Sequence, residues 1–116
     1  MTNILITGSR NITERSWVFN ILRKELVEGD VIIHGGAQGA DSIAQTFCNE
    51  NNFCSVIVRP IYPSKKDYYL HRNAEMVGMC DRVIAFWDGV SRGTLFTTNY
   101  AKDRNLNVKV FKEDEK

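Results

Sequence analysis

The sequence predicts an α/β fold, a single domain with a mainly parallel five-stranded sheet and helices on both faces. Three observations predict it. Short apolar runs alternate with longer segments whose apolar residues recur at helical spacing, and such alternation calls for crossover connections between parallel strands. The 116 residues fit one core, since chains divide into domains only beyond about 250 residues. Hydrophobic residues make up 43% and charged residues 25%, the balance of an ordinary globular domain, which argues against intrinsic disorder.

The elements follow in order. Asn3 to Thr7 is a short apolar run stopped by Gly8 and reads as a buried strand. A helix starts within Thr13 to Ser16, and Trp17, Val18, Ile21, Leu22 and Leu26 then share one face until Gly29-Asp30. Val31 to His34 is a second strand, stopped by Gly35-Gly36. A second helix begins near Gly39, turns Ile43, Ala44, Phe47 and Cys48 inward, and breaks at Asn51-Asn52. Ser55 to Val58 is a third strand, ended by Pro60 and Pro63. A polar stretch with Tyr62, Tyr68 and Tyr69 leads into a helix from about His71 to Val77. Arg82 to Trp87 is the fourth strand, Asp88 to Gly93 a loop, and Thr94 caps a helix running to about Arg104. Asn107 to Phe111 is the last strand. This is the pattern of a doubly wound, Rossmann-like sheet.

Several functions are disfavoured at once. Fifteen basic residues against fourteen acidic give a net charge of +1, without the basic excess of a dedicated duplex-DNA binder. The last five residues, Lys112 to Lys116, read as a solvated tail. Cys48, Cys54 and Cys80 form no C-x-x-C pair, and with His34 and His71 they make no metal-ligand spacing. We expect neither a metal nor a disulfide, and cysteines that serve as small apolar fillers in a reducing compartment. No apolar run approaches the ~20 residues of a membrane span. The N-terminal residues carry no signal-peptide features, so the expected location is cytoplasmic.

In an open parallel sheet the strand-to-helix loops gather at the C-terminal edge of the strands, where ligands bind. The uncommon residues of this chain fall there. Gly8-Ser9-Arg10 follows the first strand, Gly35-Gly36-Ala37-Gln38-Gly39-Ala40-Asp41 the second, and Asp88-Gly89-Val90-Ser91-Arg92-Gly93-Thr94 the fourth. Arg72-Asn73 adds to them from the segment between strands three and four. Glycines let backbone N–H groups approach an anion, and a helix starting just after them adds unpaired N–H groups and the positive end of its dipole. Ser9, Ser91 and Thr94 supply hydroxyls, and Arg10, Arg72 and Arg92 supply charge suited to phosphate. Plainer roles stand beside these. Gly35-Gly36 also suits a tight turn. Asp41 either complements a helix dipole or takes ribose hydroxyls. Arg10 and Arg92 also suit solvated surface, Asn73 a local backbone contact, His34 a structural role, and Tyr62 and Trp87 either packing or a place beside a base. The ordinary dinucleotide fingerprint and the Walker lysine motif are both absent.

Taken in order, Gly8-Ser9-Arg10, His34 to Asp41, Arg72-Asn73 with Met76, Asp81 to Trp87 and Ser91-Arg92-Gly93-Thr94 resemble the SLOG superfamily, in particular its small YspA-like branch. The resemblance covers nearly the whole chain. It implies a Rossmann-like domain related to LOG phosphoribohydrolases, DprA single-stranded-DNA binders, molybdenum-cofactor carriers and sensors of ADP-ribose-like signals. It also implies a nucleotide or nucleotide-derived phosphorylated ligand held at Gly8, Ser9, Arg10, Gly35, Gly36, Gly39, Asp41, Arg72, Asn73, Gly93 and Thr94. Ala37, Asp88, Gly89, Ser91 and Arg92 join the site as neighbours in the same loops. No cofactor is required. The LOG motif P-G-G-x-G-T-x-x-E ends in a catalytic glutamate, and Thr97 stands in its place here. Threonine cannot serve as the general acid or base of N-glycoside cleavage, which argues against phosphoribohydrolase activity.

The leading expectation is therefore a binding module that senses, sequesters or delivers a nucleotide. A LOG-type hydrolase with atypical residues such as Asp41 or Asp88 is the first alternative. A DprA-like single-strand binder is the second, using Lys65, Lys66, His71 and Arg72 with Tyr62, Tyr68 and Tyr69 for stacking; the near-zero net charge disfavours it. Related domains often self-associate, so homo-oligomers are compatible with this reading. No membrane partner is expected.

Overall fold

The computed structural model describes residues 2–59 and 66–113, the side chains of residues 66–69 excepted. Pro60, Tyr62, Pro63, Lys65 and the last three residues of the expected tail lie outside the described residues, as do the side chains of Lys66, Tyr68 and Tyr69. The elements are β1 (Asn3–Gly8), α1 (Arg15–Glu25), β2 (Val31–His34), α2 (Ala40–Asn51), β3 (Cys54–Ile57), α3 (Lys66–Met79), β4 (Arg82–Trp87), α4 (Arg92–Asp103) and β5 (Asn107–Lys112). The sheet order is β3-β2-β1-β4-β5 and every pairing is parallel. The chain winds outward from β1 to β3, then crosses back to place β4 against the other side of β1. The order thus reverses between β1 and β4, where a crevice opens at the strand ends.

The two-residue period of the strands splits the core into two layers. Ile4, Ile6, Ile32, Ile84 and Phe86 face Val18, Phe19 and Leu22 of α1 and Ala44 and Phe47 of α2. Leu5, Ile33 and Val83 face Met76 and Val77 of α3 and Ala101 of α4. Each of these large side chains contributes about 1.5–3 kcal/mol by leaving water. Trp17 packs edge-on against Phe86, with ring centroids 5.5 Å apart. Phe19, which the sequence reading left off the inner face of α1, is buried and meets Phe47 edge-on at 5.1 Å.

Several boundaries differ from expectation. The first helix stops at Glu25, ahead of Gly29-Asp30, and the third spans Lys66–Met79, not His71 to Val77. The third strand is Cys54–Ile57, one residue early, because Cys54 pairs with Val31 at the start of β2. Val58 still donates its N–H to His34 O at 2.8 Å, then the chain leaves the sheet. The last helix starts at Arg92 with Ser91 as its N-cap, so Thr94 lies in the first turn and does not cap it. The cause is Asp88, whose Oδ1 accepts the N–H groups of Val90 and Ser91 at 2.9 and 2.8 Å and closes the turn early.

The cysteines are free, and they divide. Cys48 and Cys80 are buried fillers, and burial pushes both thiols up to about 11. Cys54, expected to be a filler too, is exposed on the edge strand β3. Since the thiolate is the reactive form, a thiol reagent at neutral pH should label Cys54 alone in the native protein and all three cysteines after unfolding. Rapid labelling of a second thiol under native conditions would contradict this burial. Among the described residues, no helix is long and apolar enough to cross a membrane.

Candidate functional site

Three loops meet at the crevice, and buried Ser9 fastens them together. Its N–H donates to Phe86 O at 2.9 Å, extending the β1–β4 ladder by one residue. Its Oγ accepts the Asp88 N–H at 3.0 Å. Its carbonyl accepts the N–H groups of Ile12 and Ala40 at 3.3 and 3.4 Å. Ser9 thus links the ends of β1 and β4 to the start of α2, and its own polar groups are turned to that task.

The β2–α2 loop is satisfied from within. Asp41, in the first turn of α2, is 6% exposed, and its Oδ2 accepts the N–H groups of Gly35 and Ala37 at 3.0 and 3.3 Å. The Gly36 N–H donates to His34 Nδ1 at 3.0 Å. That ring nitrogen therefore carries a lone pair, and the other, Nε2, donates to Gln45 Oε1 at 2.6 Å. The sequence reading had these loop N–H groups facing a phosphate. Instead, a resident carboxylate and an imidazole occupy them. Burial raises the Asp41 pKa above its ordinary value, against the pull of the loop N–H groups and the Arg72 guanidinium.

Arg72 braces the same loop from α3. It is 8% exposed, so it does not join the surface basic cluster expected of a strand binder. Its Nη1 donates to Gly35 O at 2.7 Å and to Val58 O at 3.2 Å, while Nε donates to Asn73 Oδ1 at 2.9 Å. A side chain at Gly35 would run into this guanidinium, so the close approach requires glycine there. The β4–α4 turn is organised in parallel fashion by Asp88. Slight burial pushes its carboxyl up, but hydrogen bonds from Val90, Ser91, Ser9 and Asn11 outweigh it and hold the pKa below its ordinary value.

The first turn of α4 is left without a side-chain cap. Ser91 makes no capping bond; its Oγ lies 3.3 Å from Thr94 Oγ1, and its carbonyl accepts Trp87 Nε1–H at 3.0 Å. Thr97, fully buried, donates its hydroxyl to Gly93 O at 2.9 Å. Thr97 is therefore a helix-internal packing group.

These elements enclose a cleft of about 390 Å³ at the β1–β4 crossover. Of the residues singled out in the sequence, Gly8, Arg10, Ala37, Asp41, Arg72 and Asn73 line it from one side. Asp88, Ser91, Gly93 and Thr94 line it from the other. Ser9, Gly35, Gly36, Gly39, Gly89 and Arg92 do not line it: the first four build its frame, Gly89 lies against Lys112, and Arg92 is exposed on α4. Thr7, Asn11, Leu70 and Met76 line it without having been assigned to the site. Leu70, Asn73 and Met76 recur every three residues on α3, a signal that extending the helix upstream of His71 would have exposed. The floor is thus apolar at Leu70 and Met76, and the walls carry arginine, asparagine, hydroxyls and a helix start. Among the described residues, no three His, Cys, Asp or Glu side chains are placed to hold a metal ion.

No protein-family model matches the sequence. The fold is similar to DNA processing protein A from Helicobacter pylori, studied for its single-stranded DNA binding mode, with TM-score 0.77 and 22% identity over 94% of this chain and 64% of that one. It is similar to DprA from Streptococcus pneumoniae, with TM-score 0.78 and 21% identity over 95% of this chain and 50% of that one. The chain therefore spans less than two thirds of either DNA processing protein. A third likeness is to TM1055, with TM-score 0.70 and 17% identity over 93% of this chain and 72% of that one. These likenesses show the Rossmann-like fold. In sequence, the chain is 49% identical over 119 aligned residues to the Gene 61 protein of Mycobacterium phage D29, covering 93% of this chain and 94% of that protein. At that identity and coverage, the chain belongs to the family of the phage D29 Gene 61 protein.

Proposed function

We propose that this chain is a SLOG domain of the YspA-like branch that binds a nucleotide or nucleotide-derived phosphorylated ligand in the crossover cleft. The observation that carries the reading is the uncapped first turn of α4, opening on a cleft that also holds Arg10 and Arg72. Asp41 and Asp88 already fill the two turns with carboxylates, so a phosphate has its place at Gly93 and Thr94. There the helix N–H groups and dipole favour an anion. Leu70 and Met76 offer apolar surface to a base, and the Asn73 amide nitrogen, which makes no hydrogen bond among the described residues, is a donor for the ligand's polar edge. The volume falls within the roughly 300–1,000 Å³ of small-molecule sites. Sensing, sequestering or delivery suits such a module better than hydrolysis, because Thr97 is buried in helix packing and Asp41 is engaged in holding the loop.

A second reading, capture of a single-stranded nucleic acid, is favoured by the fold likeness to DprA. Both are tested by thermal denaturation of the protein with AMP, ADP, NAD, ADP-ribose and a short single-stranded oligonucleotide. A ligand at 100 times its Kd should add about 2.7 kcal/mol, a rise of roughly 10 °C for a chain of this size. A shift with a mononucleotide supports the cleft reading. A shift with the oligonucleotide alone replaces it with the second, and no shift with any of them overturns both.

A further inference from the structure

The β2–α2 loop is a wall with a second cavity behind it. This pocket, of about 270 Å³, opens toward β3 and is bounded by Gly36, Gln38, Ser42 and Arg59, with the His34–Gln45 pair also in its lining. Ala37 lines both this pocket and the crossover cleft, so the two meet across a single residue of loop. The side chains of Gln38, Ser42 and Arg59 make no hydrogen bond or ion pair among the described residues. Among the described residues, no acidic side chain lines the pocket beside Arg59. A Cβ at Gly36 would come within 2.9 Å of Arg59 Nη1, so the guanidinium lies against bare backbone. Ser42 stands in the first turn of α2, where the helix dipole favours an anion.

We propose that this pocket is a second anion subsite, and that the ligand of the cleft carries two separated anionic groups. The inference rests on the nucleotide reading above. One group sits at the first turn of α4. The other crosses Ala37 and pairs with Arg59, whose planar guanidinium gives charge-assisted bonds to phosphate oxygens, with Ser42 and Gln38 as further donors. A ligand with one phosphate reaches only the first place. A second free phosphate and an internucleotide phosphodiester offer the same chemistry to the second.

Calorimetric titration with three probes tests this: AMP, adenosine 3′,5′-bisphosphate and the phosphodiester-linked dinucleotide pApA. At least one two-anion probe should bind about tenfold tighter than AMP, equivalent to about 1.4 kcal/mol. Which one gains identifies the source of the second anion. Arg59→Ala should bring that probe down to the AMP level and leave AMP affinity unchanged. Arg59 is exposed and makes no hydrogen bond or ion pair among the described residues, so the melting temperature of the variant should match the wild type. Equal binding of all three probes by the wild-type protein would overturn the inference while leaving the cleft reading intact, and so would a gain that survives Arg59→Ala. Failure of every probe to bind would overturn both.

Discussion

Replacing Asp41 with alanine should cost about 3 kcal/mol of stability, the largest loss expected from any single side chain at the site. Two N–H groups, those of Gly35 and Ala37, depend on its Oδ2. A buried donor left without a partner costs about 1–3 kcal/mol. The carboxylate also interacts with the nearly buried Arg72 guanidinium, which would lose that negative charge. Denaturant titration reads the effect as a fall in midpoint with little change in slope. Asp41→Asn keeps an acceptor oxygen in place and should lose much less. Equal losses for the two variants would show that charge, and not the acceptor, holds the loop.

The pH dependence separates these contributions further. Burial raises the folded-state pKa of Asp41 above its ordinary 3.8. A raised carboxyl pKa means the folded state holds the proton more tightly than the unfolded chain does. Its contribution to stability is full below the unfolded pKa and is lost as the pH rises through the folded one. The stability of the wild type relative to Asp41→Asn should therefore fall as the pH climbs from about 3.8 upward, and level off once Asp41 is ionised in both states. Asp88 has the opposite sign: its folded pKa is lowered, so its contribution is present above 3.8 and lost as the pH falls through the folded value. Measuring Asp41→Asn and Asp88→Asn on one pH series keeps the two carboxylates apart.

The fold was legible because its signals are local. β2 and β4 end where apolar runs meet Gly35 and Asp88, and α2 ends at Asn52, in the left-handed conformation that an asparagine tolerates. The start of α4 was misplaced because two hydroxyl residues, Ser91 and Thr94, suit an N-cap equally well in sequence. What decides between them is the turn closed by the Asp88 side chain. The site was legible as a place and less so as a mechanism. The glycines at 35, 36 and 39 mark a loop at the C-terminal edge, but whether its N–H groups face a ligand or a resident carboxylate depends on where Asp41 points. Sequence spacing carries no such information. Arg72 shows the same limit: its charge suggested a phosphate partner or a basic cluster, while its burial follows from acceptors at Gly35 and Val58, 37 and 14 residues away.

Gly39→Ala should be the most damaging of the glycine substitutions, costing about 4 kcal/mol through two independent effects. Gly39 is the N-cap of α2 with φ +78° and ψ −125°, a conformation outside those open to L-residues, and holding one there costs about 1–3 kcal/mol. An added Cβ would also collide with the carbonyl oxygens of Ser9 and Arg10, which are backbone and cannot swing aside as a side chain would. Relief requires moving Ser9, and Ser9 O is the acceptor for Ala40 N–H, while Ser9 Oγ holds Asp88 N–H. The disturbance therefore reaches all three loops of the cleft. Gly93→Ala is the matched control: its φ is ordinary, nothing lies within 4 Å of the added carbon, and alanine favours a helix. Thermal melts should show Gly39→Ala falling by well over 10 °C and Gly93→Ala holding or rising slightly. If Gly39→Ala melts within a few degrees of the wild type, the contact between the first two loops is loose, and the cleft built on it is not a preformed site.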